Sequence, residues 1–255
     1  MIQTCLVHRL GVIEYEAAWH MQEELADQIA KGQRPPTLLL LEHPHTYTFG
    51  RRGRSENLLW DETELARCGV KVLWVDRGGD VTYHGPGQLV GYPLIPLGND
   101  GLFSDKLGSN AGSARLPQAD YVGYVRRLEQ TLILALSRLG VDAFRLEGLT
   151  GVWVDRPTTS PPAKDAQPAK VARPAKVAAI GVKVDVHGVT RHGFALNIHP
   201  DMAYWGGIVA CGLADYPVTS LAELMATPPD MGTTIQTIID AFAQVYQYHI
   251  TEEVL

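Results

Sequence analysis

The stretch from Arg77 to Leu94, RGGDVTYHGPGQLVGYPL, constrains the fold more than any other part of the chain. It contains five glycines, four of them between two apolar segments, Val70–Val75 and Leu89–Leu94, that we predict to be strands. A surface hairpin turns with only one or two glycines. Because glycine has no Cβ, so many of them indicate that the backbone approaches a ligand or another segment closely. A long flexible turn is the alternative, but Tyr83 and His84 are poorly suited to a mere linker.

Composition places the chain among ordinary globular proteins. Its 255 residues are 45% hydrophobic and 20% charged, enough for one large domain or two small ones. The net charge of −6, without a basic cluster interleaved with aromatic residues, argues against a nucleic-acid partner. The N-terminal segment MIQTCLVHRLGVIEY lacks a signal-peptide pattern, and no run reaches membrane-spanning length. We therefore expect a cytoplasmic protein with no membrane association.

Apolar residues at helical spacing predict three helices, and short apolar runs predict strands between them. The helices cover 18–29, 121–139 and 235–245, with Asp120 as a cap of the second and Gly140 as its end. Further strands are predicted at 37–41, 152–154, 177–184 and 194–198. This mixture indicates an α+β fold with a mostly antiparallel or mixed sheet flanked by helices. A doubly wound parallel sheet needs a helix after nearly every strand, and the helices are too few.

Two segments have the composition of insertions within a single domain. Residues 98–118 are rich in Gly, Ser and Asn, and residues 156–173 are rich in Pro, Ala, Lys and Thr. The sequence PAKVA occurs at 168–172 and again at 174–178, which indicates a short local duplication. We predict that both segments are flexible.

Cys211, in IVACGLADYPVTSL, is the candidate nucleophile. The chain has two other cysteines, Cys5 and Cys68, and their wide spacing predicts reduced thiols. A lone cysteine is more often a buried core residue. The catalytic interpretation gains support from Lys176, which opens the small-residue strand KVAAIGVKV. An ammonium group beside a thiol favours the thiolate, which attacks an acyl group while the lysine moves the proton.

Other motifs for metals and nucleotides have little support. His43 and His45 flank a proline, and His187 and His192 lie close together, but neither pair has a third ligand nearby. We expect turn and surface roles for these four histidines and no metal site. The chain lacks the GxxxxGK[ST] phosphate loop, and its glycines miss the dinucleotide spacing. No cofactor is therefore predicted.

Together these segments resemble the lipoyl(octanoyl) transferase family of lipoate biosynthesis. The resemblance rests on the run from Arg77, on KVAAIGVKV from Lys176, on HGFALNI from His192 and on the ACG around Cys211. The segment LEHPHTYTFGRRG, from Leu41, is similar to the family's EHP…TLG segment. The matching motifs extend over nearly the whole chain in the same order.

The resemblance implies a single catalytic domain over residues 1–255 with the fold of the biotin and lipoyl protein ligases. It implies transfer of an octanoyl group from octanoyl-acyl carrier protein to a lysine of lipoyl domains, in 2-oxoacid dehydrogenases and in the glycine cleavage H protein. Cys211 would form the acyl-thioester intermediate, and Lys176 would activate the thiol and relay protons. Backbone N–H groups nearby would hold the thioester oxygen. The implied acyl-binding residues are Arg77, Gly78, Gly79, Asp80, Val81, Thr82, Tyr83, His84, Ala179, Ile180, Gly181, Gly193, Phe194 and Ala195.

Some alternatives stay open at this stage. Lys170 also lies in a PAKVA segment, but only Lys176 precedes the AAIG that the family places after its lysine, and Lys183 lies beyond that glycine. Rival functions are an ATP-dependent lipoate or biotin ligase, a relay amidotransferase that takes its acyl group from another lipoyl-type protein, and a catalytically dead scaffold. The basic cluster at 51–54 is either a docking patch for acidic partner proteins or a solvated turn.

Overall fold

The computed structural model of the protein describes residues 3–97, 120–155 and 174–253. Both predicted insertions, 98–118 and 156–173, lie outside the described residues, and so does Lys170. The predictions made for these segments therefore stay predictions.

The described residues form eleven strands and five helices. The strands are β1 (Thr4–Val12), β2 (Thr37–Glu42), β3 (Thr46–Phe49), β4 (Lys71–Trp74), β5 (Val81–His84), β6 (Gln88–Leu94), β7 (Ala143–Leu146), β8 (Leu149–Val154), β9 (Ala175–Val184), β10 (Thr190–Asn197) and β11 (His249–Glu252). The helices are α1 (Tyr15–Ala30), α2 (Glu62–Cys68), α3 (Tyr121–Arg138), α4 (Leu221–Leu224) and α5 (Met231–Tyr246). Short 3-10 turns occur at Ser55–Asn57, Met202–Gly207 and Ala210–Gly212.

Eight strands form the main sheet, in the order β11-β1-β2-β6-β10-β9-β8-β7. β1 runs parallel to both β11 and β2, while the other neighbours are antiparallel. α1 packs its apolar side chains on one face of this sheet, and α3 and α5 pack theirs on the other. The prediction of an α+β fold with a mixed sheet flanked by helices is confirmed.

A second, three-stranded sheet has the order β4-β3-β5 and a small aromatic core of its own. The run from Arg77 to Leu94, called the glycine run below, connects the two sheets, because it contains β5 of the small sheet and β6 of the main sheet. The sequence analysis predicted the strands at both ends of this run but did not predict β5.

Side-chain caps begin α3 and α5, and the sequence predicted the first of these two caps. The carboxylate of Asp120 accepts a hydrogen bond from the backbone N–H of Gly123 at the start of α3, and Asp230 accepts one from Thr233 at the start of α5. All three predicted helices are confirmed. Among the described residues, no helix is both long and apolar enough to cross a membrane.

Candidate active site

Lys176 and Cys211 come together although 35 residues separate them in the chain. The ammonium Nζ of Lys176 lies 3.6 Å from the Sγ of Cys211 and 4.7 Å from the centre of the Trp153 ring. Lys176 is buried at the start of β9, and its backbone pairs with the loop after the cysteine through Pro217 and Thr219. Two hydrogen bonds, of 2.9 and 3.0 Å, thus hold this loop beside the lysine.

The cysteine itself sits in a strained turn. Cys211 has a φ of 55° in the turn Ala210–Gly212. This left-handed conformation is unfavourable in free energy for any residue that has a Cβ. The N–H of Val209, just before the turn, donates to the backbone oxygen of Asn57 at 2.9 Å. The side-chain amide of Asn57 donates in turn to Asp80 at 2.5 Å. The glycine run therefore holds the cysteine turn in place through Asn57.

The other two cysteines occupy different surroundings, and all three thiols are free. Burial raises the pKa of the Cys5 thiol to about 12, so this residue behaves as part of the core. Cys68 is half-buried at the end of α2, where Glu64 and Arg67 contact its sulfur.

A pocket extends from Cys211 into the protein between the main sheet and the glycine run; we call it the inner pocket. Its lining residues come from the glycine run, β6, β9, β10, α1 and the cysteine turn. They are Tyr15, Arg77, Gly78, Gly79, Asp80, Thr82, His84, Val90, Tyr92, Ala179, Ile180, Gly181, His192, Gly193, Phe194, Ala195 and Cys211. The structure thus brings twelve of the fourteen predicted acyl-binding residues together around one space.

Val81 and Tyr83 do not line the inner pocket of this structure. Successive side chains of a strand point to opposite faces. On β5, Thr82 and His84 face the pocket, while Val81 and Tyr83 pack in the core of the small sheet.

The glycines of the run allow the close approach that the sequence predicted. The N–H of Gly78 donates to the backbone oxygen of Val182 on β9 at 2.9 Å. A Cβ on Gly181 would lie 3.0 Å from the backbone oxygen of Gly78, and a Cβ on Gly50 only 2.5 Å from that of Gly79. The run therefore packs against β9 and against the end of β3 with no room for side chains.

Arg77 brings a buried positive charge to the wall of the inner pocket. Its guanidinium donates to the backbone oxygen of Thr48 at 2.5 Å, to the Thr48 hydroxyl and to the backbone oxygen of Gly78. Burial lowers the pKa of Arg77, while an electrostatic interaction with Cys211 opposes that shift. Arg77 therefore brings a second positive charge to the surroundings of Cys211, in addition to that of Lys176.

The far end of the inner pocket is a cluster of aromatic and histidine side chains. The Tyr15 hydroxyl lies 3.3 Å from Nδ1 of His192, and the Tyr92 hydroxyl lies 2.7 Å from Nε2 of His43. Nδ1 of His84 lies 2.9 Å from the side-chain oxygen of Gln88. The polar atoms at this end are paired with one another or with the protein interior.

The expectation of turn and surface roles is wrong for two of the four histidines. His43 and His192 are fully buried. Each can be buried because its ring nitrogens have hydrogen-bonding partners inside the protein. His45 is half-buried and stacks on Tyr204, and His187 is exposed. The described residues contain no group of three or more His, Cys, Asp or Glu side chains that could hold a metal ion.

His192 belongs to a charged network behind the pocket wall. Its Nε2 lies 2.7 Å from a carboxylate oxygen of Asp76, which also pairs with Lys183 and Arg191. Burial raises the pKa of Asp76, but the hydrogen bonds from His192 and Lys183 outweigh it and hold that pKa below its usual range. Lys183 is thus engaged by Asp76, whereas Lys176 faces the thiol.

Cys211 also opens onto a wider groove of about 480 Å³, called the outer groove below. Residues 148–150 line one side of it, and Arg52, Arg54 and Asn57 line the other. Both arginines are exposed, as is Arg51 beside them. Cys211 therefore lies where an inner pocket and a basic, solvent-accessible groove meet.

Sequence comparisons agree with the motif analysis. The family described as the lipoyl protein ligase A/B catalytic domain matches residues 14–243. A protein of Chloroflexus aggregans named octanoyltransferase is 40% identical over 245 residues, covering 96% of this chain and 96% of that protein. The octanoyltransferase of Solibacter usitatus is 42% identical over 223 residues, covering 88% of this chain and 84% of that protein.

Solved structures show the same fold at low sequence identity. The bipartite lipoate protein ligase of Thermoplasma acidophilum superposes with a TM-score of 0.66 and 15% identity, over 100% of this chain and 88% of that one. A lipoate-protein ligase A bound with ATP gives a TM-score of 0.63 and 15% identity, over 100% of this chain and 90% of that one. The expected resemblance to lipoyl protein ligases in fold is confirmed.

Proposed function

The chain belongs to the lipoyl protein ligase A/B catalytic domain family, and we propose that it transfers an octanoyl group from octanoyl-acyl carrier protein to a lysine of lipoyl domains. It is an acyltransferase, as are its octanoyltransferase relatives. The observation that carries the mechanism is the 3.6 Å contact between Lys176 and Cys211 at the meeting point of the inner pocket and the outer groove.

In the first step, the Cys211 thiolate attacks the carbonyl carbon of the donor thioester. A new carbon–sulfur bond forms, the bond to the donor thiol breaks, and that thiol leaves with a proton relayed by Lys176. The acyl chain lies in the inner pocket, whose walls include Ala179, Gly181 and Ala195. Exchange of one thioester for another is nearly balanced in energy, so this step needs no external energy source.

In the second step, the ε-amine of an acceptor lysine attacks the Cys211 thioester. An amide bond forms, the Cys211 thiolate leaves, and Lys176 takes the proton lost by the amine. The amide is more stable than the thioester, which drives the transfer forward. Neither step uses ATP, a metal or a redox cofactor.

Both protein partners would reach Cys211 through the outer groove, in turn. The chain as a whole carries a net charge of −6, yet Arg52 and Arg54 line this groove and Arg51 lies beside them. A local positive patch of this kind fits acidic acyl carrier proteins and lipoyl domains. We therefore assign partner docking to the basic segment 51–54, with 2-oxoacid dehydrogenase lipoyl domains and the glycine cleavage H protein as acceptors.

The main alternative, an ATP-dependent ligase, shares the fold but activates a free acid by adenylation. Such an enzyme needs no nucleophilic cysteine. The buried Lys176 beside an accessible Cys211 therefore favours the transferase.

The decisive measurement is mass spectrometry of the protein after incubation with octanoyl-acyl carrier protein, with and without ATP. We expect one octanoyl mass on Cys211, labile to hydroxylamine, and its disappearance when a lipoyl domain is added. Cys211→Ser should lose the adduct. Lys176→Ala should slow its formation by about 10²- to 10⁴-fold, the usual contribution of a proton-transfer group.

Two variants serve as controls. Cys68→Ser removes the other thiol that is not fully buried, and Lys170→Ala removes the lysine of the first PAKVA segment. Both should be acylated at the parent rate. Transfer that required ATP, or that persisted in Cys211→Ala, would show that the proposed mechanism is wrong.

A further inference from the structure

The far end of the inner pocket contains a side chain that the sequence analysis did not single out. Tyr15, the first residue of α1, is 2% exposed and lines the inner pocket together with Tyr92, His84 and His192. We propose that Tyr15 closes the inner pocket and sets the longest acyl chain that the enzyme accepts. This inference rests on the proposed function, because it assumes that the pocket holds the acyl group.

The length of the inner pocket along β10 matches an eight-carbon chain. Ala195 lies at the end near the cysteine, because it lines both the inner pocket and the small space around Lys176 and Cys211. His192 lies three residues earlier on β10, in contact with Tyr15. A strand advances about 3.3 Å per residue, so these positions are roughly 10 Å apart. An extended chain advances about 1.2 Å per bond, so eight carbons span roughly 8 to 9 Å.

The closed end of the inner pocket accommodates a methyl group, although tyrosine and histidine side chains form it. The Tyr15 hydroxyl pairs with Nδ1 of His192, and Nε2 of the same ring pairs with Asp76. The Tyr92 hydroxyl pairs with His43. Because these hydroxyl and ring-nitrogen atoms are hydrogen-bonded within the protein, an apolar chain end meets ring carbons and does not unpair them.

Hydrogen bonds hold the wall behind Tyr15 rigid. His192 is held at its ring by Asp76 and at its backbone N–H by Gln22 of α1, at 2.7 Å each. Burial raises the pKa of Tyr15 to about 12, so its hydroxyl stays neutral and paired. A longer chain would have to displace this network, whereas a chain of eight carbons ends before it.

The test is a competition for Cys211 among octanoyl-, decanoyl- and dodecanoyl-acyl carrier proteins mixed in equal amounts. The three adducts are counted by mass spectrometry within one turnover. We expect the parent protein to favour octanoyl, and Tyr15→Ala to raise the dodecanoyl-to-octanoyl ratio by at least about 10-fold, since one methylene group in a pocket changes selectivity by about 10- to 200-fold. Tyr15→Phe keeps the ring and should keep the parent ratio.

The ratio of adducts does not depend on how much of a variant is folded, because all donors compete for the same molecules. Tyr15→Leu provides a second, less disruptive opening and should raise mainly the decanoyl ratio. A parent that is acylated while the alanine and leucine variants both keep its ratios would overturn the role of Tyr15 alone. A parent that takes no acyl group at any length would overturn the proposed function, and length selection with it.

Discussion

Cys211 carries its thiol on a backbone conformation that residues with a Cβ rarely adopt, with φ of 55° and ψ of 17°. Such a conformation costs of order 1 kcal/mol or more, so it persists only where neighbouring contacts impose it. Here the contacts are hydrogen bonds. Asn57 accepts one from the backbone next to the turn, and its side chain donates another to Asp80. The orientation of the nucleophile therefore depends on hydrogen bonds made by residues that are distant from it in sequence.

Asn57→Ala should slow acylation of Cys211 by about 10-fold and lower the free energy of unfolding by up to about 3 kcal/mol. The variant loses the hydrogen bond from its side chain to the Asp80 carboxylate, and a bond of this kind to a charged group is worth about 1.5 to 3 kcal/mol. The rate of alkylation of Cys211 by iodoacetamide, measured beside the acylation rate, reports the thiol directly. Ser55→Ala, an exposed change in the same turn, is the matched control. Alkylation and acylation both at the parent rate would mean that Asn57 does not hold the turn.

At this scale the sequence singled out the two residues of the proposed reacting pair, which the structure brings together, but not the residues that position them. Lys176 was chosen over Lys183 because of the small residues that follow it, and the structure places Lys176 beside the thiol. Asn57 and Tyr15 left no local signal, because each meets the site only through tertiary contacts. Only a residue's own neighbours in sequence are visible in a motif.

The glycine run acts at the scale of elements, because it joins two sheets and forms one wall of the pocket between them. The sequence predicted its close approach to another segment, and the contact with β9 is that approach. It did not predict β5, since four residues between glycines have too short an alternating pattern to be told from a turn. The family resemblance implied one continuous range, Arg77 to His84, and such a range does not separate Val81 and Tyr83 from the neighbours that face the pocket.

Gly50→Ala should destabilise the protein by about 1 to 3 kcal/mol and slow the acylation of Cys211. The added Cβ would lie 2.5 Å from the backbone oxygen of Gly79 and 2.9 Å from that of Arg77, so the glycine run must move. Urea denaturation gives the free energy of unfolding. Gly206→Ala is the control, because Gly206 is exposed and its Cβ would meet nothing within 4 Å. Equal loss of stability in both variants would mean that the close contact between Gly50 and the glycine run contributes nothing specific to stability.

At the scale of the whole molecule, buried histidines from both sheets meet around the inner pocket. His43 follows β2, His84 belongs to β5 of the small sheet and His192 to β10 of the main sheet. The sequence did not predict this cluster, because histidines 40 to 150 residues apart share no pattern. Burial lowers the pKa of all three, for His43 from 6.5 to about 4. The folded protein therefore keeps them neutral where the unfolded chain binds protons.

The free energy of unfolding should consequently fall as the pH drops below about 6.5. A group whose pKa is lowered by folding stabilises the protein above its unfolded pKa, and this stabilisation is lost as the pH falls towards the folded value. For His43 alone the full loss is roughly 3 kcal/mol, of which about 2 kcal/mol should be gone at pH 5.0. Urea denaturation at pH 7.5 and pH 5.0 measures the difference.

His43→Gln should be less stable than the parent at pH 7.5, because it disturbs the hydrogen bonds to Ile13 and Tyr92, but it should lose less stability on going to pH 5.0. His187→Gln, at an exposed position, should show the parent's pH dependence. If His43→Gln lost as much stability between the two pH values as the parent does, the acid sensitivity would come from other groups. If instead the difference shrinks by about 2 kcal/mol, burial of the neutral His43 ring accounts for much of the acid sensitivity of the fold.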